Sequence, residues 1–169
     1  MQIVFDEKSP AEKLQAFFTQ AAELILVREG LDAAKCEISL SFVTLGEMQA
    51  LNLKYRSIDT PTDVLSFPMY GSVDEIHEAF TGAGAPVLLG DVAICTEAAK
   101  RQAEGIGQTL DRELLYLFIH SVLHLLGYDH IEEAGRVRMR EAEEEILSQL
   151  PEEAGRVLMR EEEETLEVE

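Results

Sequence analysis

Positive charge is what this chain has least of. Fourteen lysines and arginines stand against 33 aspartates and glutamates, a formal net charge of −19. A field of that sign opposes nucleic acid, so a broad basic footprint is excluded and any polyanion must be held through a local patch. The excess is uneven. Residues 131–169 carry 14 acidic and 5 basic side chains, a net of −9; residues 1–130 carry 19 and 9, a net of −10. Cysteine is scarce as well. Cys36 and Cys95 lie far apart, each in a strand-like run. They make no disulfide framework and read as reduced, buried thiols of a cytoplasmic protein. No apolar run reads as a transmembrane helix, and MQIVFDEKSP lacks the charged start and long apolar core of an export signal. The expectation is a cytoplasmic protein without a membrane partner.

What is present fits one domain. The 169 residues are 46% hydrophobic, enough for a real core. Met1–Phe5 reads as a short strand, and Pro10 opens a helix, where first-turn proline costs nothing. Leu14, Phe17, Phe18, Ala21, Ala22, Ile25 and Leu26 give that helix an apolar stripe, and Gly30 ends it. Cys36–Val43 alternates apolar and polar residues, as a strand does. Thr44-Leu45-Gly46-Glu47 matches a capping box before a helix that carries Met48, Leu51 and Leu53 and runs to about Tyr55. A polar loop with Pro61 leads into a short strand, Val64–Phe67, stopped by Pro68. Arg56 and Asp63 flank this loop, which taken alone is an ordinary turn with a surface arginine.

Residues 70–85 are glycine-rich and read as a mobile loop with room for one helical turn; its His77 reads as solvated. Pro86–Cys95 is a strongly apolar strand interrupted at Gly90-Asp91, where the glycine suggests a bulge or a close backbone approach. Asp91 either has a function or holds a loop. Thr96 is placed to cap the next helix with Glu97 in its first turn. Ala98, Ala99 and Ala103 are small enough for close packing there, and Gly105 and Gly107 end it.

The chain is organised around residues 109–130, TLDRELLYLFIHSVLHLLGYDH, which hold three of the four histidines. A helix apolar on nearly every side belongs inside a domain. Thr109 can cap it, and Gly127 suits its C-terminus. His120 and His124, four apart, share one face of the helix. Past the glycine the chain can turn back and bring His130 to that face. Three neutral imidazoles around an open position are a common catalytic zinc arrangement. A single histidine there would be a satisfied core residue; three within eleven positions point to a metal site.

The tail contains a local duplication. EEAGRVRMREAEEE at 132–145 returns as EEAGRVLMREEEET at 152–165. The first copy makes the last helix of the domain, with Val137, Met139, Ile146 and Leu147 as apolar contacts, and Pro151 breaks the run. One repeat is too few for a solenoid, so 151–169 reads as an acidic tail on a domain of residues 1–150.

Two stretches resemble the YbeY family of bacterial endoribonucleases, the rRNA maturation factors. His120-Ser121-Val122-Leu123-His124 with Gly127-Tyr128-Asp129-His130 matches that family's H-x3-H-x5-H metal motif. Leu51-Asn52-Leu53-Lys54-Tyr55-Arg56, followed by Thr60-Pro61-Thr62-Asp63-Val64-Leu65-Ser66-Phe67-Pro68, matches its other signature, and Leu89-Gly90-Asp91-Val92 fits its strand before the metal helix. The order and spacing agree from about residue 36 to 147. The family commonly has glycine where this chain has Ser121, and the duplicated tail lies outside its pattern.

The resemblance implies an α/β (α+β) domain: a small mixed sheet of about four strands packed with helices, the metal helix against it. It implies one Zn2+ per chain on His120, His124 and His130. The implied activity is single-strand-specific RNA cleavage in 16S rRNA 3′-end maturation and ribosome quality control. RNA, the ribosome or its small subunit, and other ribosome-associated proteins are the implied partners. Arg56 matches the family's cleft arginine, which replaces the surface reading; Asp63, Ser66 and Asp91 match motif positions and are assigned structural or cleft-shaping roles.

Two other readings of the metal site stand beside this one: a zinc hydrolase of another substrate class, and a ribosome-assembly binding protein with structural zinc. Zinc peptidases of the HExxH type place a glutamate beside the first histidine as general base. Residues 121–123 offer no carboxylate, which argues against peptidase chemistry and leaves the base unassigned. Asp129 is close in sequence, either as that base or as a residue orienting an imidazole. The nucleophile is water or the RNA 2′-hydroxyl. Lys54, Arg56, Lys100, Arg101 and Arg112 are the candidate phosphate contacts.

Overall fold

The computed structural model describes residues 1–6, 8, 10–81, 84, 86–151 and 154. Among the described residues, four strands and six α-helices follow in the order β1 (Gln2–Phe5), α1 (Glu12–Arg28), β2 (Cys36–Val43), α2 (Leu45–Arg56), β3 (Val64–Pro68), α3 (Val73–Phe80), β4 (Val87–Cys95), α4 (Thr96–Ile106), α5 (Leu110–Leu125) and α6 (Glu133–Gln149). The sheet order is β1-β2-β4-β3. β1, β2 and β4 run parallel and β3 pairs antiparallel with β4, so the sheet is mixed and the expected α/β class holds.

Each sheet face buries its own cluster, because successive strand residues point to opposite sides. Val92 and Ile94 join Phe18, Ile25, Phe118 and Val122 in the larger core, contributed by α1 and α5. Ala93 and Cys95, one step along β4, join Met48 of α2 and Leu65 of β3 on the other side. Phe18 is the hub of the larger core, with ring centroids 4.9 Å from Phe118 and 6.3 Å from Phe42. The metal-motif helix α5 therefore lies against the sheet, beside β3 and β4. Both thiols are buried and free, as expected.

Local signals account for most element ends. The Thr44–Glu47 capping box is formed in both directions. Thr109 Oγ1 accepts from the Arg112 N–H and caps α5. At Gly90 the register of β4 against β2 slips by one residue, the anticipated bulge. A Cβ on Gly90 would lie 2.4 Å from the Phe67 carbonyl oxygen and 2.8 Å from Leu125 Cδ2. Only the missing side chain lets β3, β4 and the end of α5 meet there. Gly90→Ala is expected to cost about 3 kcal/mol by forced overpacking. An unchanged midpoint in a urea titration would show that the three segments can part without cost.

Several expectations are corrected. Residues 73–80 form a helix of two turns, where one turn in a mobile loop was expected; Ser72 caps it through Glu75 N–H, and buried Ile76 anchors it. His77 therefore sits on a helix, exposed, edge-on to Phe80. Thr96 is the first residue of α4 and makes no cap; Cys95 holds the cap position without a side-chain bond. Leu53 and Val137 are about half exposed and contribute little to the core. The second copy of the duplication falls outside the described residues, apart from buried Ala154.

Candidate metal centre

α5 carries His120 and His124 one turn apart, both half-buried, at the end nearest the sheet bulge. Leu126 closes the helix, and Gly127 at φ +94° turns the chain back. The turn is fixed by the Gly127 N–H donating to His124 O (3.0 Å) and the Tyr128 N–H to Leu123 O (3.1 Å). His130 then comes over the helix face. Its ring centroid is 5.1 Å from that of His124 and 5.7 Å from that of His120. One ligand atom from each of the three imidazoles can be chosen so that all lie within 4.8 Å of one another.

Hydrogen bonds on the far side of two rings set the near side. His120 Nδ1 lies 2.7 Å from Glu143 Oε1 of α6, and His124 Nδ1 lies 2.8 Å from the Tyr128 carbonyl oxygen. Both partners are acceptors, so each Nδ1 carries the proton and donates. Both Nε2 atoms are then left as lone pairs, and they face each other at 3.0 Å. Two lone pairs at that distance repel unless a cation lies between them. The donor set therefore fits a metal ion that accepts neutral imidazole.

Electrostatics favour the same state. Burial, first of all, pushes the His124 imidazole down to about 4, aided by His120, His130 and Arg56 and opposed by the bond to Tyr128. Burial and His120 lower His130 as well. Protons therefore compete weakly for these two nitrogens at neutral pH.

The loop that carries His130 is tethered. The Tyr128 hydroxyl donates to Glu29 Oε1 and accepts from Arg28 Nη1 (2.7 Å), whose Nε donates to Glu145 Oε2 at 2.6 Å. Asp129, by contrast, accepts from the Ile131 N–H (3.2 Å), closing its own turn. Among the described residues, the carboxylate that hydrogen-bonds one of the three imidazoles is thus Glu143, which sequence reasoning missed. The signal was there: Glu143 falls within the stripe Met139, Ala142, Ile146, where an unpaired charge is out of place.

The second signature surrounds the loop after α2. Asn52, buried, donates from Nδ2 to Thr60 O at 2.8 Å. Asp63 Oδ1 accepts from the Val64 N–H (2.8 Å) and Thr62 Oγ1, and its carbonyl accepts from the Cys95 N–H (2.8 Å). Asp63 therefore holds the start of β3, the structural role expected of it. Ser66 is half-buried in β3, and Asp91 is exposed on β4 opposite Phe67. Arg56 ends α2, exposed, with its charge felt at His124. Of the other cations, Lys54 lies over the Tyr55 ring, Lys100 is exposed, Arg101 pairs with Glu97, and Arg112 lies in the first turn of α5.

Ser121, which replaces the glycine common in the resembling family, is fully buried, and its Oγ has no hydrogen-bond partner among the described residues. An unsatisfied buried hydroxyl costs on the order of 1 kcal/mol or more. Ser121→Ala should therefore raise the unfolding midpoint by a few degrees; a lower midpoint would reveal a partner for the hydroxyl.

The chain was compared with known proteins. A family model described as Endoribonuclease YbeY matches residues 3–151. An Endoribonuclease YbeY from Pelotomaculum thermopropionicum is 45% identical over 139 residues, 82% of this chain and 88% of the relative. One from Thermoanaerobacter sp. is 41% identical over 160 residues, 89% and 98% of the two chains. A Thermotoga maritima protein of known solution structure superposes with a TM-score of 0.57 at 27% identity, over 88% of this chain and 90% of that one.

Proposed function

Because the chain belongs to the Endoribonuclease YbeY family, we propose that it is a zinc-dependent endoribonuclease that cuts single-stranded RNA, acting in 16S rRNA 3′-end maturation and ribosome quality control. The observation that carries this reading is the convergence of His120, His124 and His130 with two Nδ1 protons already committed. A single Zn2+ held by one ring nitrogen from each histidine is the ion this set of three imidazoles suits. When bound, zinc supplies a Lewis acid that polarises a phosphoryl oxygen and makes water nucleophilic near neutral pH.

The residues around it have separate tasks. Burial lowers the pKa of both His124 and His130, which suits metal ligands better than proton carriers. His130 is exposed, so the centre is open to a substrate on that side, which favours a catalytic over a structural metal. Arg56 is assigned to the substrate: its guanidinium donates to phosphate oxygens as charge builds on them in the transition state. Residues 1–150 form the catalytic domain, and residues 151–169 are an acidic appendage. The cytoplasm is the compartment.

RNA affinity is expected to be weak for the protein alone, with the ribosome supplying the rest, because 14 lysines and arginines stand against 33 acidic residues. Filter binding of free RNA across a salt series checks this; tight binding that falls steeply with salt would count against ribosome dependence. The activity itself is tested with a single-stranded oligoribonucleotide and its duplex. Cleavage of the first only, abolished by chelator and restored by zinc, is the expected result. Cleavage that survives complete metal removal would overturn the zinc-dependent reading.

A further inference from the structure

Outside the three imidazoles, the buried carboxylate of Glu143 is the feature with the least obvious reason to exist. It is only 7% exposed, on a helix whose other inward residues are Gly135, Met139, Ala142 and Ile146. A charge there costs free energy unless it is paired. Its one hydrogen bond among the described residues is to His120 Nδ1, at 2.7 Å. The bond joins residues 23 apart in sequence, from α6 to α5.

The rest of α6 converges on the same centre. Near its start, a Cβ on Gly135 would sit 2.8 Å from the Asp129 carbonyl oxygen, so the helix is laid directly on the residue before His130. Two residues past Glu143, Glu145 holds Arg28, which holds the Tyr128 hydroxyl. The carbonyl of that tyrosine accepts the hydrogen bond from the His124 Nδ1–H. Each histidine is thus tied to α6: His120 directly, His124 through Tyr128, and His130 through Asp129.

We propose that Glu143 is a positioning residue of the metal centre, and that through it the docking of α6 and the binding of the metal are coupled. This rests on reading the histidine trio as metal ligands. The carboxylate fixes the His120 tautomer and ring angle, so that Nε2 points at the ion, and makes that nitrogen a stronger donor. In return, a cation on Nε2 draws electron density from the ring and strengthens the Nδ1–H bond to Glu143. A contact that is stronger with metal bound must stabilise α6 when metal binds and strengthen metal binding when α6 is docked.

The test uses the full chain and zinc ion, in competition with a chromophoric chelator. Wild type, Glu143→Gln and Glu143→Ala are compared. The glutamine keeps the size and one oxygen acceptor but not the charge. Both variants are expected to lose about 10- to 100-fold in zinc affinity, the alanine more than the glutamine. In parallel, hydrogen exchange is followed in residues 139–146. Zinc should slow exchange in wild type and do so much less in Glu143→Ala. Glu143→Gln with wild-type zinc affinity and full zinc-dependent protection overturns the proposal. Should the alanine variant fail to fold, the glutamine variant alone carries the decision. If wild type itself takes up no zinc, it is the metal-site reading that fails, and the affinity of the variants is not at issue.

Discussion

Replacing His124 by alanine should bring the metal content from about one ion per chain to near zero, and RNA cleavage with it. His124 is the middle imidazole of the three. Its Nε2 faces that of His120 at 3.0 Å, and its ring lies nearer His130 than the ring of His120 does. Without it, two imidazoles remain, with ring centroids 5.7 Å apart, and a metal ion would lose one of its three nitrogens. The fold should survive. The surrounding core residues Val122, Leu123 and Leu125 are untouched, and His124 itself is only half-buried. Elemental analysis of the purified variant, with circular dichroism to show that α5 persists, checks both halves. A folded variant that keeps its full metal complement would remove the basis of the metal centre.

Arg56→Ala should leave the metal in place and lower turnover by about 100-fold or more, the size typical of losing one donor aimed at a developing oxyanion. Arg56 lies at the exposed end of α2, makes no ion pair among the described residues, and still sits near enough for its charge to reach His124. A cation so placed is available to the substrate and is not spent on the fold. Arg56→Lys should recover part of the rate, because an ammonium restores the charge but not the two-pronged geometry. Single-turnover kinetics beside metal analysis separate the outcomes. A fall in metal content would make Arg56 a structural residue, and an unchanged rate would remove it from the cleft.

Much of this was legible in the chain itself. Alternation in Cys36–Val43, the Thr44–Glu47 box and the largely apolar run before Gly127 each act through neighbours within about one or two turns, so sequence spacing was enough to read them. Gly90 announced a close approach for the same local reason: a glycine has little other use inside a strand. The H-x3-H spacing put two histidines on one helix face by geometry alone. Where the reading failed, the deciding energy was not local. Residues 73–80 look like loop by composition, but burial of Ile76 and the Ser72 cap hold them helical. Val137 fits an apolar stripe and faces water, because the phase of α6 is set by Gly135, Met139, Ala142 and Ile146 against the rest of the fold.

By itself, then, the sequence determined the helix that carries the site, the three histidines that converge on it and the strands beneath them, because those rest on periodicity, caps and turns. Tertiary structure alone decided what lies behind the ligands. Glu143 is one glutamate in an acidic run, and Arg28 and Glu145 are ordinary surface charges in the chain. Only the packing of α6 across α5 and the end of α1 brings them to His120 and Tyr128. A contact between residues 23 or 100 positions apart leaves no spacing rule in the chain, so it is fixed only when the whole core closes.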